Sequence, residues 1–434
     1  MREQREHDWL RPAFEAVVMD DEGRACRDIP DSACREESGN FFRHVGSLSL
    51  SKMADGLIDP KLVLSWLMLT LGAPSALVGL LVPIREAGAL LPQLFTAGAL
   101  RRLPRRKWAW SAGAAVQGLS ALAIALAALT LRGQAAGLAI LFALTVLALA
   151  RSVCSVCYKD VLGKTIDKSR RGTATGLAGS ISAGVVIVFA GLLASGLFQR
   201  FELVVSAIVL AGAAWIVSAL LFATLREAKG ATQGGKSAIA AAMENLVWLK
   251  RDAQLRRFIL VRSLLTATAL APPFMIAAAA VAEDVLPVGM LVLASALAGL
   301  LSSYVWGRFS DRSSRIVLAM SGLAGGAGLA VSAILATVGW LHPLYALPVT
   351  IFVVMIAYQG VRLGRSTHLT DMATAETRAA YTALSNTVVG FVLLAGGLFS
   401  VLAAYTGPAV VLLVMAGMAA LASILARGLD EVQA

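Results

Sequence analysis

From about residue 60 onward, long apolar stretches alternate with short polar or basic runs. A run of about 20 apolar residues has the length of a bilayer-spanning helix. Roughly twelve are predicted, over 61–81, 85–101, 108–131, 135–157, 173–197, 202–224, 258–281, 286–307, 316–339, 343–364, 379–404 and 407–427. None alternates polarity at every second residue, as the strands of a membrane β-barrel do. The expected class is an all-α membrane protein with about 12 transmembrane helices.

The pattern repeats. The stretch Lys164–Ser180 returns in degenerate form at Asp371–Thr387, each copy running from a charged loop into a Gly/Ala-rich apolar helix. Arg171, Thr175 and Leu177 become Arg378, Thr382 and Leu384, an offset of 207 residues each time. Two related halves of apolar helices are the mark of a secondary transporter built from parallel repeats, which binds its substrate between them. The predicted division is a polar extension at 1–55, a first six-helix bundle at 56–224 and a cytoplasmic linker at 225–257. A second, pseudo-symmetric bundle at 258–428 and a tail at 429–434 complete it.

Composition agrees: 58% of residues are hydrophobic, 15% are charged and the mean hydropathy is +0.74. The net charge of +11 is placed as a topology signal rather than a nucleic-acid surface. Basic residues fill alternate loops, at Arg101–Lys107, Lys159–Arg171 and Arg308–Arg315, while the opposite loops hold Arg132 and Arg200 beside Glu202, Glu283 and Asp284. The positive-inside rule then puts both termini in the cytoplasm, with the protein in the inner or plasma membrane, in contact with lipid, and no nucleic-acid partner. Residues 1–55 lack the apolar core of a signal peptide and are expected to be a cytoplasmic extension. A monomer is expected.

Candidate chemistry is sparse. Cys26/Cys34 and Cys154/Cys157 all fall on the predicted reducing side, where structural disulfides are not expected. Cys154 and Cys157 could bind metal or do redox work, but no second such pair accompanies them and the four histidines are scattered. Apolar filling is the expected role. No triad, phosphate loop or paired carboxylates appear, so the chain is not expected to be an enzyme, and no cofactor or metal is expected.

One loop carries a family motif. Gly307, Asp311, Arg312 and Arg315 match the G-x-x-x-D-R-x-x-R signature that follows the second helix of a half in the major facilitator superfamily, and the chain resembles that superfamily over about residues 60–428. The resemblance implies a transporter fold, and a latch in which Asp311 reaches the start of the fifth helix near Arg171. In the first half Gly98 aligns with Gly307, but Arg102 stands where the acid would be. The linker supports the likeness, with an amphipathic stretch at Met243–Arg257. The fifth helix lacks the Gly-Pro signature of the family's drug/proton antiporters.

In this family the first, fourth, seventh and tenth helices line the cavity. Pro74 in the predicted first helix and Pro272 and Pro273 in the seventh lie at similar depth. Proline interrupts helix hydrogen bonding, and matched interruptions in two halves point to a binding site. Ionisable residues within spans are costly and mark pathways or pairs. Arg85 and Glu86 open the predicted second helix, with Gln93 on the same face as Glu86. Glu86 is expected to be the one carboxylate inside a span, so proton coupling would rest on it; a plain salt bridge explains it equally well. Arg151, Arg362, Gln359 and Tyr358 are candidate substrate contacts, arginine favouring an anion. Arg262 and Arg365 fit interfacial snorkelling. The expected function is secondary transport of a small organic solute, anionic or amphiphilic, by alternating access, with protons as the potential coupling ion. The alternative is a scaffold, assembly factor or lipid translocator on the same fold.

Overall fold

The structure, a computed structural model, describes Phe14, Ile29 and residues 31–93, 100, 102–195, 200–229, 247, 249, 251–280, 288–310, 312–374 and 377–432. Among them every regular element is a helix. In the first half, α1 (Glu37–Leu57) and α2 (Val63–Thr70) form the first segment, and α3 (Ser75–Val78) and α4 (Leu81–Leu90) the second. The third to sixth are α5 (Lys107–Thr130), α6 (Gly133–Thr165), α7 (Lys168–Ser195) and α8 (Arg200–Ala223). In the second half, α9 (Ala253–Leu264), α10 (Ala267–Leu270) and α11 (Pro272–Ala280) form the seventh segment. Next come α12 (Val288–Ser310), α13 (Ser314–Thr337) and α14 (Ala346–Met372). Then α15 (Arg378–Ala395) and α16 (Leu398–Thr406) form the eleventh and α17 (Pro408–Ala426) the twelfth.

Among the described residues nine segments are long and apolar enough to cross a membrane. The first and second miss that standard because α1 is polar and α3 and α4 are short.

The halves repeat one packing plan. The third segment packs on the fourth and sixth, and the second on the fourth; likewise the ninth packs on the tenth and twelfth, and the eighth on the tenth. Equivalent glycines make the tightest of these crossings. A Cβ on Gly118 would stand 2.7 Å from the Gly212 carbonyl oxygen, and one on Gly322 2.8 Å from that of Ala419. Only backbone fits there, as in small-residue packing within membranes.

Two polar devices also recur. Glu227, just after α8, accepts from the Arg106 and Lys107 amides at 3.1 and 2.8 Å, capping α5. Glu431, after α17, takes the Ser313 hydroxyl at 2.6 Å and the Arg315 Nε at 3.0 Å at the start of α13. A carboxylate at a helix N-terminus meets the positive end of its dipole. The arginine of the sequence repeat braces the turn behind it: Arg171 donates to the Ile166 carbonyl at 2.9 Å and Arg378 to that of Ala373 at 3.4 Å, each five residues back.

The N-terminal stretch differs from expectation. Glu37–Leu57, assigned from sequence to a polar extension, is a helix packed on α7 and α8. Several of its polar groups bond across the bundle. Asn40 exchanges hydrogen bonds with the Arg226 backbone at 3.2 and 3.0 Å, and His44 Nε2 lies 2.8 Å from the Thr165 hydroxyl. Ser218 donates to the Ser47 carbonyl at 2.7 Å, and the Trp215 indole to the Ser51 hydroxyl at 3.3 Å. Such bonds are worth about 0.6 kcal/mol each within a membrane, so they fix register more than they add stability. The first segment therefore begins some twenty residues before the predicted 61–81, and it ends at the Gly72 turn, where φ is +75°.

Cys34 is disulfide-bonded, against the expectation for that side of the membrane. Cys154 and Cys157 are buried free thiols between α5 and α6, the first donating to the Trp110 carbonyl at 3.3 Å. The linker's amphipathic stretch lies largely outside the described residues, as does Asp311.

Candidate functional site

The first segment breaks at Asp59-Pro60, between α1 and α2. Proline cannot donate to the helix ladder, and the Asp59 carboxylate replaces the lost order by accepting from the Lys61 and Leu62 amides at 2.7 and 3.1 Å. The seventh segment breaks at Leu265–Thr266, 207 residues after Ile58–Asp59, and again at Ala271, before Pro272 and Pro273. Pro74 is exposed in the turn before α3.

This break positions a cluster of charges. Asp55, one turn before Asp59, accepts from Arg85 of α4 at 2.6 Å and from Arg151 of α6, so one carboxylate ties three segments together. Lys52, three residues earlier, donates to the Thr175 carbonyl of α7 at 3.1 Å. Lys61 leaves the break with only 7% of its side chain exposed. Its ammonium lies 3.7 Å from Glu86 and 4.0 Å from the centre of the Tyr358 ring on α14. Arg362 stands 5.9 Å from the same ring and donates to Gln359 at 3.4 Å. Lys61 and Tyr358 join the two halves here.

Elsewhere the halves meet through α7 with α12, α4 with α15, α3 with α16 and α2 with α11. Pro272 and Pro273 are buried at the start of α11, in that last contact. The side chain of Arg362 is exposed.

Arg85, Glu86, Arg151, Tyr358, Gln359 and Arg362 thus converge as the sequence suggested, while Gln93 turns back to the Ala89 carbonyl of its own helix at 2.7 Å. Lys52, Asp55, Asp59 and Lys61 were missed, and Glu86 is therefore not the one carboxylate within a span. Lys52 and Asp55 lie in the stretch 1–55 set aside as an extension, and Asp59 and Lys61 at the predicted entry to the first helix. The stripe Asn40, His44, Ser47, Ser51, Asp55, recurring every three or four residues, is the signal that could have revealed a buried helix face.

The acid of the expected latch, Asp311, lies outside the described residues. Arg171 braces its own turn, Arg315 pairs with Glu431 inside the second half, and Arg312 is exposed. Gly307 lies in the last turns of α12.

No family model matches the chain, and no curated protein matches it. Solved structures do. The nucleoside transporter NupG superposes with a TM-score of 0.69 at 15% identity, over 90% of this chain and all of that one. A POT family transporter in complex with 5-aminolevulinic acid gives 0.70 at 8% identity, over 88% of this chain and 94% of its own. The inward-open xylose transporter XylE from E. coli gives 0.63 at 12%, over 90% and 97%. At such identities the likeness establishes the fold.

Proposed function

We propose that this chain, which has the major facilitator fold, is a secondary transporter moving a small organic solute by alternating access between its halves. The observation that carries this reading is the charged cluster at the interface, where Lys61 of the first half meets Tyr358 of the second. Charges within a bilayer-spanning bundle are expensive and mark pathways. That solved proteins of this fold carry nucleosides, peptides and xylose supports it. The excess of basic groups favours an organic anion or an anionic amphiphile. The basic loops favour an inner or plasma membrane site with both termini cytoplasmic.

Proton coupling belongs to the same reading. Asp55 is held by two arginines, whereas Glu86 is one-third exposed and only loosely paired at 3.7 Å. Glu86 is the carboxylate freer to exchange a proton.

The test is uptake into proteoliposomes by the wild type and by Lys61→Gln and Glu86→Gln. Lys61→Gln is expected to lose uptake at least about tenfold, and Glu86→Gln to lose its dependence on a pH gradient. Wild-type uptake retained in Lys61→Gln would remove the cluster from the pathway. An unchanged pH-gradient dependence in Glu86→Gln would remove the coupling. Failure of every solute class to cross would favour a scaffold role.

A further inference from the structure

The charges of the cluster are distributed unevenly between the halves. In the first half the carboxylates are engaged: Asp55 by Arg85 and Arg151, Glu86 by Lys61. In the second half Arg262, Arg362 and Arg365 have no carboxylate partner among the described residues.

Arg262 is the most exacting of the three. It is 6% exposed, and its guanidinium reaches only neutral acceptors, the Ser385 hydroxyl at 2.6 Å and the Asn386 amide oxygen at 2.8 Å. Its Nε is buried with no partner. A buried cation lacking a counter-charge is strongly unfavourable, and snorkelling does not describe a sealed side chain held by two neighbours. Arg365 lies within electrostatic reach of it.

Gln359, Arg362 and Arg365 recur every third residue, so they share one face of α14. That face looks across the interface: Arg362 and Arg365 are both within electrostatic reach of Glu86. Arg362 is exposed and Arg365 half-buried, and Arg362 stands by the Tyr358 ring that Lys61 of the first half approaches.

We propose that Arg362 and Arg365, with Arg262 behind them, form the seat for an oxyanion of the transported solute, a carboxylate or a phosphate. The guanidinium fork suits a bidentate grip on either, and the field of Arg262 adds attraction through a poorly screened interior. The first half, whose Asp55 and Glu86 are already paired, then contributes shape and Glu86 rather than the anion contact. This inference rests on the transport reading for its biological meaning, but the anion seat can be tested alone.

The experiment combines thermal unfolding and proteoliposome uptake, using citrate, succinate and glucose 6-phosphate against glucose and uridine at constant ionic strength. At least one anion is expected to raise the melting temperature of the wild type. Arg362→Gln and Arg365→Gln should weaken that apparent affinity at least about tenfold, and Arg362→Lys should recover part of it. Both sites are accessible enough for the variants to fold, which size-exclusion profiles check. If glucose or uridine binds and crosses while no anion does, the seat is wrong and the transport reading survives. If an anion binds, is lost in the variants, yet never crosses, the seat stands and transport fails. No stabilisation by any of the three anions overturns the seat.

Discussion

Asp55 is the one carboxylate that ties the first, second and fourth segments together, and its removal has a calculable consequence. Asp55→Asn keeps the volume and one acceptor oxygen but deletes the charge that Arg85 and Arg151 share. Those arginine side chains are 12% and 29% exposed, and Asp55 is 19% exposed. Removing one partner of a fully buried pair costs about 3–5 kcal/mol. The residual exposure screens part of this, so a loss of about 2–3 kcal/mol is expected.

The assay is reversible unfolding of the detergent-solubilised protein, run as a double-mutant cycle with Arg151→Gln. Once Arg151 is gone, Asp55 still has Arg85, so the second loss should be smaller than the first, with a coupling of about 1–2 kcal/mol. Additivity within about 0.5 kcal/mol, or an Asp55→Asn protein as stable as the wild type, would refute the shared-carboxylate reasoning. It would also mean that the two arginines are free to serve as anion contacts.

The repeated crossings predict that Gly118→Leu and Gly322→Leu each destabilise by about 2 kcal/mol or more, read as a fall in melting temperature. Gly417→Ala, where an added Cβ meets nothing within 4 Å, should be neutral or slightly stabilising; a loss there equal to that at Gly322 would count against the packing argument. The paired caps predict that Glu227→Gln costs about 1–2 kcal/mol. Glu431→Gln should cost less, because the Glu227 side chain is fully buried and that of Glu431 is 27% exposed. Equal losses in chemical denaturation would set this ordering aside.

The fold was legible because membrane helices announce themselves by apolar length, and the halves by Arg171 and Arg378. Hydropathy failed where it must fail, at a helix that turns polar side chains toward neighbouring helices. α1 carries Asn40, His44, Ser47 and Ser51 into the bundle, and its average polarity gives no hint of a span. That one misassignment hid Lys52 and Asp55. Arg85, Glu86, Arg151 and Arg362 remained visible because each interrupts an otherwise apolar run. The partner of each was not readable, since pairs such as Asp55 with Arg151 are distant in sequence and set by packing. The same holds for the loop motif: it names Arg315, but only the tertiary structure shows that Glu431 holds it.

What recurs between the halves and what does not fall into separate classes. The glycine crossings, the carboxylate caps and the arginine braces occur twice, and all of them hold helices of one half to one another. None joins the two halves. They brace each bundle internally, as one half rocking against the other in the proposed transport cycle requires. The charges that face the interface do not recur: among the described residues Asp55 and Glu86 have no acidic counterparts paired with Arg262 and Arg362. On the proposed transport reading, a symmetric frame needs the duplicated devices in both of its states, and a substrate lacking that symmetry needs the unmatched ones. Substitutions at the uncompensated arginines of the second half should then alter what is carried while leaving the bundle stable.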